Sequence, residues 1–165
     1  MDKSLKNLNK GFYEMKTALL ANEKIRKILY YDQPDALSQS VPAVEAVYDY
    51  ITFVPITESG IVDYKKNTFI SITSPKIDID LEEHNNLYFS FYVTIISKKD
   101  VWELEGNKLR LISLADEVIE SLDAKKLSFP AKLEVIGMQQ VIYDASTYGY
   151  TIKVFCSDLQ KKVEF

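Results

Sequence analysis

The sequence predicts a single α+β domain: an antiparallel β-sheet of about five strands, with N-terminal helices and one long helix packed on it. Three stretches carry this. In "LYFSFYVTIIS", Leu87, Phe89, Phe91, Val93 and Ile95 fall at alternate positions, so one face of an extended strand is wholly apolar. In "SLADEVIESL", Ala115, Val118 and Leu122 share a helical face that can pack on that strand. Near the C-terminus, Ala131, Leu133 and Val135 and then Tyr150, Ile152, Val154 and Cys156 alternate along two arms of a hairpin.

The remaining elements follow in order. Residues Ser4 to about Ala21 form an amphipathic helix with Leu5, Leu8, Phe12, Met15 and Leu19 in one stripe, weakened at Gly11. Asn22 caps a second helix, "EKIRKILYY", which Pro34 stops. The N-terminal helices thus occupy residues 1–32, and 36–49 form an ordered loop with a short helix. Sheet, arms and central helix fill 50–165.

Within that region "YITFVPI" is a strand whose Pro55 places it at an edge or end. "TFISIT" is the next, ended by Pro75. "KIDIDLEEHNN" is a short amphipathic strand or an extended arm. The long helix is firm from Ser113 to about Asp123 and can begin as early as Asn107, with capping-box spacing at Ser113 and Asp116. Gly137 marks a bulge.

Composition bounds the function. The 165 residues suit one domain with a sizeable core, and the 47% hydrophobic and 27% charged fractions are those of a soluble globular protein. A net charge of −4 argues against gripping nucleic acid by its phosphates, and Lys3, Lys6, Lys10 and Lys16 read as a solvated helix face. Eleven tyrosines suit sheet faces and subunit interfaces alike. The lone Cys156 forms no internal disulfide and reads as a small buried hydrophobe. No apolar run is long enough to cross a bilayer, and no secretory signal is expected.

Catalytic motifs are not found. His84, the one histidine, sits beside Glu82 and Glu83, but adjacent residues on an extended segment point apart and no second histidine or cysteine completes a metal shell. The five glycines stand alone, so no phosphate loop is formed. The expectation is a protein that is not an enzyme and needs no cofactor.

Taken in order, "LLANEKIRKILYYD", "NTFISI", "YFSFYVTIIS", "VWELEGNKLRLISLADEVIESL" and "GYTIKVFCSD" resemble phage head–tail completion proteins, and among them the tail terminators. The resemblance implies a virion structural protein of the tail or neck, assembled in the host cytoplasm. Its copies would close into a ring, commonly a hexamer, on the tail tube protein. The ring would face the head–tail connector protein, and the genome would pass through it without specific binding. No membrane is involved. Under that reading two arms, Thr57–Asn67 and Pro75–Asn86, carry the subunit or tube interface through Ile61, Val62, Tyr64, Ile77 and Ile79. They are expected to be mobile in the free chain and ordered against a neighbour. Asp78, Asp80, Glu82 and Glu83 would line the channel and repel DNA. The rival readings are a non-catalytic bacterial binding or adaptor protein and a small enzyme using scattered carboxylates.

Overall fold

A computed structural model describes the backbone of residues 2–54, 66–80, 86–128 and 131–158, and side chains within 8–54, 66–74, 90–128 and 131–156. Helices α1 (Asp2–Ala21), α2 (Glu23–Tyr30) and the short α3 (Val44–Val47) precede the edge strand β1 (Ile51–Thr52). Two long strands follow, β2 (Thr68–Asp80) and β3 (Asn86–Lys98), then a small hairpin, β4 (Glu103–Leu104) and β5 (Lys108–Leu109). Helix α4 (Arg110–Leu122) and the closing hairpin of β6 (Ala131–Ile142) and β7 (Thr147–Asp158) complete the chain.

The main sheet has five strands in the order β1-β2-β3-β7-β6. Its long pairs are antiparallel, as the alternating pattern requires. The sheet is nonetheless mixed, because β1 runs parallel to β2, with Ile51 opposite Ile70. Only two residues of the expected "YITFVPI" strand pair, and Pro55 lies outside the described residues.

The core lies between one sheet face and the helices. Phe91, Val93, Ile95, Ile152 and Val154 from the sheet meet Leu114, Ala115, Val118 and Leu122 of α4 and Met15 and Leu19 of α1, all fully or almost fully buried. Of the predicted packing pairs, Phe91 and Val93 are therefore in place, whereas the Phe89 side chain lies outside the described set. Phe12 stands edge-on to Phe91 with ring centroids 5.1 Å apart. Cys156 is buried as expected. On the opposite face Phe69 and Ile96 form a small second cluster with Tyr143.

Three sequence expectations change. Pro75 does not end its strand: the β2–β3 register shifts between Thr73 and Lys76, and the ladder resumes through Asp80 opposite Asn86. A bulge needs no ladder hydrogen bond from the bulged residue, so the missing proline N–H costs nothing there. Ser74 ties the bulge down by donating through its hydroxyl to the Ser90 carbonyl. Ser113 is not a cap: α4 begins a turn earlier, at Arg110, with Leu109 at the N-cap and no side-chain capping bond. Lys16 is not a solvated residue. It is buried, its Nζ donates to the Ile51 carbonyl at 2.7 Å, and it lies 3.5 Å from the centre of the Tyr48 ring. Burial pulls its ammonium below the ordinary lysine range, with Asp49 pulling the other way.

Asn22 caps α2 as expected, its Oδ1 accepting from the amides of Lys24 and Ile25. Its Nδ2 donates in turn to Glu117 Oε2 at 3.0 Å and Ser121 Oγ at 3.1 Å, fastening α2 to α4. In β7, Gly149 is buried opposite Ile96, and a Cβ there would collide with the Ile95 carbonyl oxygen and crowd the Ile96 side chain. Gly149→Ala is therefore expected to cost about 1–3 kcal/mol, the usual penalty of overpacking. An unchanged denaturation midpoint would contradict that close approach.

Candidate interaction surface

Arg110 organises one end of the sheet. Its side chain is fully buried and donates only to backbone carbonyls: Nε to Val101, one terminal nitrogen to Ile28 (2.7 Å) and Tyr31 (2.6 Å), and the other to Asp32 (2.9 Å) and Gln33 (3.0 Å). Four of these five carbonyls belong to the last turn of α2 and the residues after it. There the helix leaves carbonyls unpaired and its dipole favours a cation. Burial lowers the guanidinium's pKa, and nearby Asp32 opposes that shift. Arginine keeps its charge regardless. The result fixes the β4–β5 hairpin and the start of α4 against α2. Gly106 and Asn107, both at positive φ, turn that hairpin.

This frame holds up an exposed apolar ridge. Leu109 is 54% exposed and Ile112 38% exposed, and the two form a wall shared by two hollows. One is a cleft of about 460 Å³ whose polar lining includes Lys24, Lys108, Asp116 and Glu117. Lys24 reaches Glu117 Oε1 at 2.7 Å across its rim, and that hydrogen bond raises the lysine's pKa. The other, of about 110 Å³, is floored by Trp102, Tyr148, Tyr150 and Gln140. Trp102 meets Tyr148 edge-on at 4.6 Å and donates its indole N–H to the Ser97 carbonyl.

Beyond this floor β6 runs out from under α4. Register places Met138, Gln140 and Ile142 on the helix-bearing face, opposite Ile152, Tyr150 and Tyr148. Met138 is 46% and Ile142 64% exposed. The first part of the β6 outer edge is closed: the Leu133 amide donates to the Lys125 carbonyl, Leu127 donates to Ala131, and the Val135 amide donates to Asp123 Oδ1. From Ile136 to Ile142 no described residue pairs with that edge.

The residues singled out in the sequence fall in two groups. Ile77, Asp78, Ile79 and Asp80 lie in the outer half of β2, paired in register with Phe89, Tyr88, Leu87 and Asn86. That half of the second arm is therefore a strand in a hairpin, not a free arm waiting for a surface. Ile61, Val62, Tyr64, Glu82 and Glu83 lie outside the described residues. The Leu109–Ile112 ridge and the open β6 edge were not anticipated. A signal existed in "VIGMQQVI", eight strand residues without a charge or proline.

Among known proteins, a family model named YomW matches residues 22–156, well over half of the chain. The chain belongs to the YomW family. This is a phage-type family, and the match points to a phage origin for the chain. The matched span runs from the Asn22 cap to Cys156 and so takes in α2, the whole sheet core, the Arg110 frame and the open β6 edge. No curated protein matches this YomW-family chain. Among the described residues no helix is long and apolar enough to cross a membrane, and no cluster of histidine, cysteine or carboxylate side chains could hold a metal ion.

Proposed function

We propose that this phage-family chain is a non-catalytic virion protein that caps the tail tube as a ring, joining it to the head connector. Besides the phage-type family match, the observation that carries this reading is the open-edged sheet. All the long helices cover one face, and β6, like β2 beyond its two residues paired with β1, keeps a stretch of unpaired edge among the described residues. A subunit built this way can add to its own kind edge to edge, and a head-to-tail contact that closes on itself makes a ring. The ridge of Leu109 and Ile112, with Lys108 and Asp116 beside it, offers a separate surface for the tube or connector.

Disrupting the gene in its phage is the decisive test. The expected phenotype is filled heads lying free beside unjoined tails of irregular length, restored by supplying the chain in trans. Normal joined particles from the disrupted phage would overturn the proposal. A second reading, a binding adaptor, is favoured by one feature, the 460 Å³ cleft with charges of both signs on its lining. It predicts that the chain is recovered with a discrete partner from infected cells and is missing from purified virions.

A further inference from the structure

Among the described residues two stretches of the sheet's edge are left unpaired. We infer that a second copy of this chain docks by strand addition, its outer β2 segment Lys76–Asp80 pairing with the β6 edge Ile136–Ile142. This deepens the ring reading and rests on it for the closure of the contact into a ring.

Each edge is closed over only part of its length. On β2, β1 covers Ile70 and Ser71, and Ser71 donates to the Val54 carbonyl just beyond. Past that point no described strand pairs with the outer side of β2. On β6, the Lys125–Leu127 segment and Asp123 close the beginning and stop at Val135. An open strand edge presents a row of backbone donors and acceptors, and proteins that must stay monomeric protect such edges with charges, prolines or covering loops. The stretch from Ile136 to Ile142 carries no charge and no proline, and no described segment covers it.

Direction and faces agree as well. Strands β2, β3, β7 and β6 alternate in direction, so a neighbour's β2 placed beside β6 with its helices on the same side runs antiparallel to it. In that arrangement Ile77 and Ile79, which register puts on the helix-bearing face, come beside Met138 and Ile142 on the same face. Asp78 and Asp80 take the opposite face, where β6 carries Gly137 directly opposite Lys153 of β7. Glycine leaves that position empty, with nothing within 4 Å of where a Cβ would stand, so the exposed Lys153 can extend over it to the edge. By register, apolar positions thus fall beside apolar positions on one face, and two aspartate positions fall beside a lysine position on the other. Across the sheet Met138 is level with Ile72, so the two open stretches meet only with a stagger along the strands. A stagger of that kind is what closing a sheet requires.

The contact is head-to-tail, and that gives it a test that a symmetric contact fails. Met138→Lys with Ile142→Lys closes the β6 edge, and Ile77→Lys with Ile79→Lys closes the β2 edge. By sedimentation velocity the unaltered chain should form species larger than a dimer, and each variant alone should sediment as a 19.0 kDa monomer. An equimolar mixture of the two variants should give a one-to-one dimer and nothing larger, because each keeps the edge that the other lacks. That dimer also shows that both variants are folded. A charge exchange provides a second arm: Lys153→Glu weakens assembly, and adding Asp78→Lys and Asp80→Lys to it restores assembly. An unaltered chain that stays monomeric at every concentration, variants that never combine while retaining cooperative unfolding, or dimers formed by the β2-edge variant alone would each overturn the inference. The gene disruption is independent of this result. A phage phenotype with a monomeric chain removes the edge contact alone, and edge-paired dimers without a phage phenotype remove the ring cap alone.

Discussion

Arg110→Met should destabilise the protein by about 3–5 kcal/mol, because several buried carbonyls lose a charged donor at once. The methionine fills much of the same volume, but the carbonyls of Ile28, Tyr31, Asp32, Gln33 and Val101 lose their shared donor. Buried carbonyls left unmatched each carry a desolvation cost of about 1–3 kcal/mol, partly relieved where water can enter. In a chain of this size the melting temperature should fall by roughly 2–4 °C per kcal/mol. Arg110→Lys recovers only part of the loss, because one ammonium offers three donors at a point where the guanidinium spreads five across a plane. Urea denaturation of the three proteins provides the measurement. A loss below about 1 kcal/mol for Arg110→Met would show that the network is not needed for stability.

Phe91→Ala is the second large effect, expected at about 3–5 kcal/mol for a buried aromatic. The ring is fully buried on β3, packed edge-on against Phe12 of α1, with Val154 opposite it on β7. Its removal opens a cavity between α1 and the middle of the sheet, where neither element can collapse without breaking its own hydrogen bonds. Phe91→Leu keeps most of the volume and should cost less than half as much, leaving chiefly the lost aromatic pairing. Equal midpoints for Phe91→Ala and the parent chain would place the core on the other face of β3.

These two residues also mark how far the sequence could be read. Phe91 was legible because its signal is local. Strand period, aromatic type and the neighbouring alternation all lie within eleven residues, and the face they define is the face that α4 and α1 cover. The Asn22 cap was legible for the same reason. Arg110 was not, because four of its five partners are main-chain carbonyls 77–82 residues earlier, and a carbonyl has no letter in the sequence. Lys16 was misread as solvated since nothing local shows that Ile51 offers it a carbonyl or Tyr48 a ring. Pro75 was misread because a bulge is a relation between two strands. The parallel pairing of β1, only two residues long, left no periodic trace. The candidate surface was half legible: Ile77 and Ile79 were chosen for their alternation, whereas the edge they are inferred to meet depends on where Lys125–Leu127 stops covering β6.

The clasp at Asn22 has a chemical lifetime as well as a strength. Its Oδ1 faces two backbone amides and its Nδ2 faces a carboxylate and a hydroxyl, so the orientation of the amide is fixed by its surroundings. Aspartate would cap α2 equally well by ordinary preference. In this position, however, it would set a second negative oxygen against Glu117 where a donor now stands at 3.0 Å. Spontaneous deamidation through a succinimide, which yields aspartate together with isoaspartate, would turn a fastening between α2 and α4 into a repulsion. Ageing at this one amide would therefore loosen the two helices, and the isoaspartate product would disturb the α2 cap as well.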